Sequence, residues 1–135
     1  MRRPDWEARL AEYLAGAMTY ARDGELEHCA FFAAGAARAV TGRDPMKGLR
    51  RRAQTGTGRV RILAEHGGLE AMVDDRFPAI SPFKAKRGDL VMGEASDGTA
   101  AIGVCIGGEA LFVGEEDGPT LVREPRSRWI KAWAV

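Results

Sequence analysis

Apolar residues recur at helical spacing through the first half of the chain and in short alternating runs through the second. Trp6, Leu10, Tyr13, Leu14, Ala17 and Met18 predict a first amphipathic helix. Pro4 and Asp5 suit its first turn, where a missing N–H is harmless and a negative charge meets the helix dipole. The helix should fade near Tyr20, because Arg22-Asp23-Gly24-Glu25 reads as a polar turn. A second helix is predicted from about His28 to Val40, ended by Thr41-Gly42 with Gly42 in the left-handed conformation. Ala30, Ala33, Ala34, Gly35, Ala36, Ala37 and Ala39 leave it thin on nearly every side, which predicts a place in the middle of the fold. Between Gly42 and Gly58 the chain is polar, with one short helical turn expected near Lys47–Arg51. Val60, Ile62 and Leu63, then Leu69, Met72, Val73 and Phe77, predict two short helices broken at Gly67-Gly68. Pro78 and Pro82 close the helical half.

From Arg87 onward short apolar runs alternate with turn residues: Asp89–Met92, Ala101–Ile106, Ala110–Val113, Leu121-Val122 and Trp129–Val135. Asp97-Gly98, Gly107-Gly108 and Asp117-Gly118-Pro119 separate the middle runs, which is a hairpin signature. About five antiparallel strands follow from this count. Helices in one half and strands in the other argue for an α+β fold, N-terminal helices packed on a C-terminal sheet. A single domain over 1–135 is expected, with its helical half at about 4–80 and its sheet half at about 87–135. Along the run from Ala101 a period of two puts Ala101, Gly103 and Cys105 on one face. Ile102, Val104 and Ile106 share the other, which should be core. The small face would pack against the thin helix or border a cleft.

Composition narrows the class. The chain has 135 residues, 45% of them apolar, as expected of an ordinary globular domain with its own core. Twenty basic residues against nineteen acidic ones give a charge of +1, so no global field points to a polyanion. Two cysteines are too few for a disulfide framework, and Met-Arg-Arg-Pro-Asp-Trp does not open a secretory signal. Synthesis in a cytosol with reduced thiols is expected, and no apolar run is long enough for a membrane span.

Cys29 is the first candidate for chemistry. It stands at the start of the second helix, where unpaired N–H groups and the dipole favour a thiolate. The competing account is that cysteine is a small apolar residue in a small-residue helix. His28 is adjacent in sequence, but neighbours on a helix point about 100° apart, so it is a poor base for that sulfur. His66 precedes Gly67-Gly68, where an imidazole beside a helix C-terminus is a common structural choice. Two histidines and two cysteines lack zinc spacing, so neither a metal nor another cofactor is expected. Arg38, Arg43, Lys47, Arg50, Arg51, Arg52, Arg59 and Arg61 face only Asp44 between residues 38 and 61. Such a basic stretch is a solvated surface, or a contact for nucleic acid or an acidic protein. Nucleic acid is not the expected partner. Glu115-Glu116-Asp117 reads as a charged hairpin tip.

Three stretches carry a resemblance. His28-Cys29-Ala30-Phe31-Phe32, Gly88-Asp89-Leu90-Val91 and Ala101-Ile102-Gly103-Val104-Cys105-Ile106-Gly107 resemble, in order and spacing, elements of NlpC-type cysteine peptidases. In those enzymes an Asp-Cys pair opens a small-residue helix, and a strand of the form His-Val-Gly-Ile-Tyr-Ile-Gly brings the histidine. Pro4-Asp5-Trp6-Glu7, Thr41-Gly42-Arg43-Asp44-Pro45 and Ala132-Trp133-Ala134-Val135 resemble a small family of phage and gene-transfer-agent tail domains.

The resemblance implies a papain-like arrangement with Cys29 at the nucleophile position, at a helix N-terminus facing the strand that contains Ala101. Ala101 stands where the family has its histidine, and His28 replaces the aspartate before the cysteine. It therefore implies a tail-tip or baseplate component whose peptidase-like domain lacks its base. The alternative it leaves is a tail-associated peptidoglycan hydrolase with Cys29 as nucleophile. Implied partners are the tail hub and neighbouring tail-tip proteins, with host peptidoglycan for the enzyme. The implied location is the virion tail after synthesis in the host cytoplasm.

Overall fold

A computed structural model describes residues 1–22, 29–95, 97–114 and 120–135. Helix α1 runs Trp6–Arg22 and α2 Cys29–Thr41, followed by a turn-rich connector with a 3-10 turn at Arg52–Gln54. Helices α3, Gly56–His66, and α4, Leu69–Asp74, come next. Strands β1 (Ala79–Ile80), β2 (Leu90–Glu94), β3 (Ala100–Cys105), β4 (Glu109–Gly114), β5 (Thr120–Pro125) and β6 (Lys131–Trp133) build one antiparallel sheet in the order β1-β6-β2-β3-β4-β5. The class is α+β, as the pattern of the two halves predicts. The polar turn expected at Arg22–Glu25 and the hairpin tip at Glu115–Asp117 lie largely or wholly outside the described residues.

The glycine-based boundaries hold for physical reasons. Gly67, at φ 80°, ends α3 with its N–H on the carbonyls of the last turn, and α4 begins two residues later. Thr55 caps the start of α3 by accepting from the Gly58 amide.

Among the described residues the sheet has six strands, against the expected count of about five. Ala79 and Ile80 pair with Trp133 and Ala132, forming a short edge strand between two prolines that read only as helix terminators. Two residues are too few to show an alternation, so the pairing arises from where the chain passes β6.

The sheet buries both faces. Leu90, Met92, Ile102, Val104, Leu111 and Trp133 face α1 and α2, packing on Leu10, Leu14, Phe32, Ala33, Ala36 and Val40. Val91, Cys105, Ala110, Phe112 and Ala132 face the other way, where Ala85 and Trp129 cover them. Ala101 packs with this second group. This corrects one expectation: the face of Ala101, Gly103 and Cys105 does not meet the thin helix. The aliphatic face does, because it carries the larger apolar surface. Gly103 is required where it stands, since a Cβ there would lie 2.5 Å from the Leu111 carbonyl oxygen and 2.8 Å from the Phe112 ring.

Among the described residues Asp89 is the one buried charged side chain, 1% exposed. Its Oδ1 accepts from Arg2 Nη2 at 2.7 Å and from the Val135 amide at 3.0 Å, and its Oδ2 from the Lys86 amide at 2.9 Å. Arg2 also donates to the carbonyls of Val135 (2.9 Å) and Arg87 (2.7 Å) and lies 4.2 Å from the Trp6 ring centre. Removing one partner of a buried ion pair costs about 3–5 kcal/mol, because the other charge stays buried. Asp89→Asn should lower stability by about that amount in urea unfolding. Asp5→Asn, which alters the exposed Asp5–Arg9 pair, should change the midpoint little.

Candidate functional site

Helix α2 stays thin because another side chain fills the space. The Tyr13 ring lies against Gly35, where a Cβ would come within 2.2 Å of its hydroxyl oxygen. That hydroxyl donates to the Phe32 carbonyl at 2.9 Å, and the two rings stack with centroids 6.0 Å apart. Small residues thus bring α1 close and press the α2 backbone onto β3.

Cys29 is the first residue of α2 and is half-buried. It therefore has the helix-start position expected from the sequence, near first-turn amides without intrahelical acceptors. Beside it, Ala30, Ala33 and Ala34 border an apolar cavity of about 30 Å³, with Leu90 and Ile102 below and Leu69, Met72 and Phe77 of the α4 segment opposite. Arg76 also borders it, donating to the Pro45 and Met72 carbonyls at 2.9 Å each.

The first turn of α2 therefore lies near β3, but it faces Ile102 rather than Ala101. Alternation sends the Ala101 side chain through to the Phe112 and Trp129 side of the sheet. A histidine substituted there would point away from Cys29. His28 lies outside the described residues. His66 ends α3, its Nδ1–H donating to the Ile62 carbonyl at 2.8 Å, which is the structural role expected beside a helix C-terminus. No group of three or more His, Cys, Asp or Glu side chains among the described residues could hold a metal ion. None of the described helices is long and apolar enough to cross a membrane.

Cys105 is fully buried behind the sheet, with its thiol donating to the Gly107 carbonyl at 3.3 Å. Burial pushes this thiol up from its usual range, outweighing the opposing influence of that contact and of Arg126. Cys29 and Cys105 lie on opposite sides of the sheet, and no disulfide joins them.

The cavity wall made by α4 is tied to the sheet by charge. Asp74 accepts from the buried Trp133 indole at 2.8 Å, and Lys131 lies 2.8 Å from both Asp74 and Glu70. This bridge and the Asp89 site escaped the sequence reading. The available signals were a lone aspartate entering an apolar strand and the polar indole of Trp133.

A family model described as a domain of unknown function, DUF6950, matches residues 1–135. The chain belongs to that family. A search of curated proteins finds no match.

Two outcomes follow. Under native conditions iodoacetamide should label Cys29 and spare Cys105, with both labelled after denaturation, as read by intact mass. The second concerns acid. Hydrogen bonds from Lys131 and then Trp133 hold the Asp74 carboxyl below its ordinary 3.8. A carboxylate with a lowered folded pKa contributes stability above its unfolded value, and that contribution is lost as pH falls through the folded one. Wild-type protein should exceed Asp74→Asn in urea midpoint at neutral pH, and the margin should vanish on acidification below pH 3.8.

Proposed function

We propose that this protein is a structural component of a phage-type tail tip or baseplate, built on an NlpC-type, papain-like arrangement that no longer performs the peptidase reaction. The tail role rests on the sequence resemblance, and the observation that carries the loss of the peptidase reaction is the parity of β3. The strand that supplies a base in the resembling enzymes presents Ile102 and Val104 to the cysteine helix, while Ala101 packs behind the sheet. Neither aliphatic side chain moves a proton.

Chemistry supports the loss of the peptidase reaction. Attack on a peptide carbonyl forms a sulfur–carbon bond, and collapse of the tetrahedral adduct breaks the carbon–nitrogen bond. The departing nitrogen needs a proton, which the imidazole delivers in a cysteine–histidine pair. A helix dipole favours the thiolate but carries no transferable proton. General acid–base assistance is worth roughly 10²–10⁴-fold. Binding to the hub and neighbouring tail-tip proteins requires none of it.

A second reading, a tail-associated peptidoglycan endopeptidase, is favoured by Cys29 itself, half-buried at a helix start. Purified cell wall incubated with the protein separates the two. The expected result is no released muropeptides by chromatography, with Cys29→Ala leaving particle assembly and infectivity intact. Release that Cys29→Ala abolishes would establish the enzyme and overturn the structural reading.

A further inference from the structure

Charge is segregated along this chain in a way its total conceals. Residues 38–61 hold eight of the twenty basic side chains and one of the nineteen acidic ones. The rest of the chain accordingly carries twelve basic against eighteen acidic residues. In the fold these bases come from the end of α2, the connector and α3, with Arg38, Arg43, Lys47, Arg51, Arg52 and Arg61 all exposed. Two ion pairs tie members of this segment together. Arg50 holds Asp44 through two contacts of 2.6 and 3.2 Å, and Arg38 is near enough to act on that carboxylate electrostatically. Arg52 holds Glu65 at 2.7 Å, with Arg61 acting on it in the same way.

We infer that this surface docks a carboxylate-rich segment of a partner protein. Seven of the eight bases are arginines, whose planar fork matches a carboxylate in two parallel bonds, as Arg50 already does with Asp44. A nucleic-acid duplex fits less well. Its charge continues beyond the patch at about one per 1.7 Å of axis and meets the acidic excess of the rest of the chain. Residues 38–61 also contain no aromatic side chain on which an unpaired base would stack. A short acidic segment ends where the basic surface ends. The inference rests on charge distribution alone, so peptide binding can fail while the tail-assembly reading stands, and the reverse.

The test measures binding of a labelled oligoglutamate peptide and of a DNA duplex of equal total charge to the whole protein, by fluorescence anisotropy at low and at physiological salt. Wild-type protein should bind the peptide more tightly than the duplex, and more weakly as salt rises. The combined variant Arg43→Gln, Lys47→Gln, Arg51→Gln should lose roughly tenfold in peptide affinity. The equally charged control Lys84→Gln, Arg123→Gln, Arg128→Gln should change it less than about twofold. The inference is overturned by tighter binding of the duplex, by no peptide binding at low salt, or by equal losses in the two variants. It is also overturned by self-association that the patch variant abolishes, since the occupant would then be a second copy of this chain.

Discussion

Asp89 is a charge in a place where charge is expensive, and the fold is arranged around satisfying it. A carboxylate removed from water costs several kcal/mol unless its lone pairs are met. The donors that meet these come from three distant parts of the chain: the Arg2 guanidinium, the Lys86 amide just before β2, and the Val135 amide just after β6. The segment before α1, the entry to the central strand and the segment after β6 are therefore held at one point. Gly88 makes the crossing possible. Its φ of 92° turns the chain, and a Cβ there would lie 2.9 Å from Arg2 Nη1. Arg2 then lies on Trp6, and Arg3 donates its amide to the Val40 carbonyl at the end of α2. The positions of α1 and α2 over the sheet follow from that anchorage.

The second constraint is that the sheet is covered on both faces, so every strand position has to suit one of two different interiors. The helix face takes Leu90, Met92, Ile102, Val104 and Leu111. The opposite face takes small residues and Phe112 under Trp129. That side is closed by short 3-10 turns at Pro82–Lys84 and Arg126–Arg128 and the residues after them rather than by α-helices, and such chain has carbonyls to satisfy. Arg126 meets three of them, bonding to Pro82, Ala85 and Gly107 while its guanidinium lies 4.5 Å from the Trp129 ring centre. A one-residue slip of β3 would exchange its faces and put Ile102 under that cover, so the register is strongly specified. The same parity decides the chemistry near Cys29, because it determines which β3 side chains the start of α2 can meet.

Much of the architecture is legible in the sequence because local physics specifies it. Helical spacing in residues 6–18, the alanine-rich run of α2, the Gly67-Gly68 break and the glycine turns between strands each depend on a few neighbouring residues. The alternation in Ala101–Ile106 correctly separated two groups of side chains. Cys29 at the start of a helix was legible for the same reason.

What the alternation could not say is which group meets α2. Period two sorts side chains onto faces and carries no information about what covers each face. Only the packing of α1 and α2 on Ile102 and Val104 decides it, and with it the separation of Ala101 from Cys29. The short β1 strand, the Asp74 bridge to Trp133 and the Arg2 and Val135 donors to Asp89 belong to the same class. Each joins residues that are remote in sequence, 46 positions apart for Asp89 and Val135 and 59 for Asp74 and Trp133. No window of the sequence contains both partners, so these contacts exist only once the chain has closed on itself.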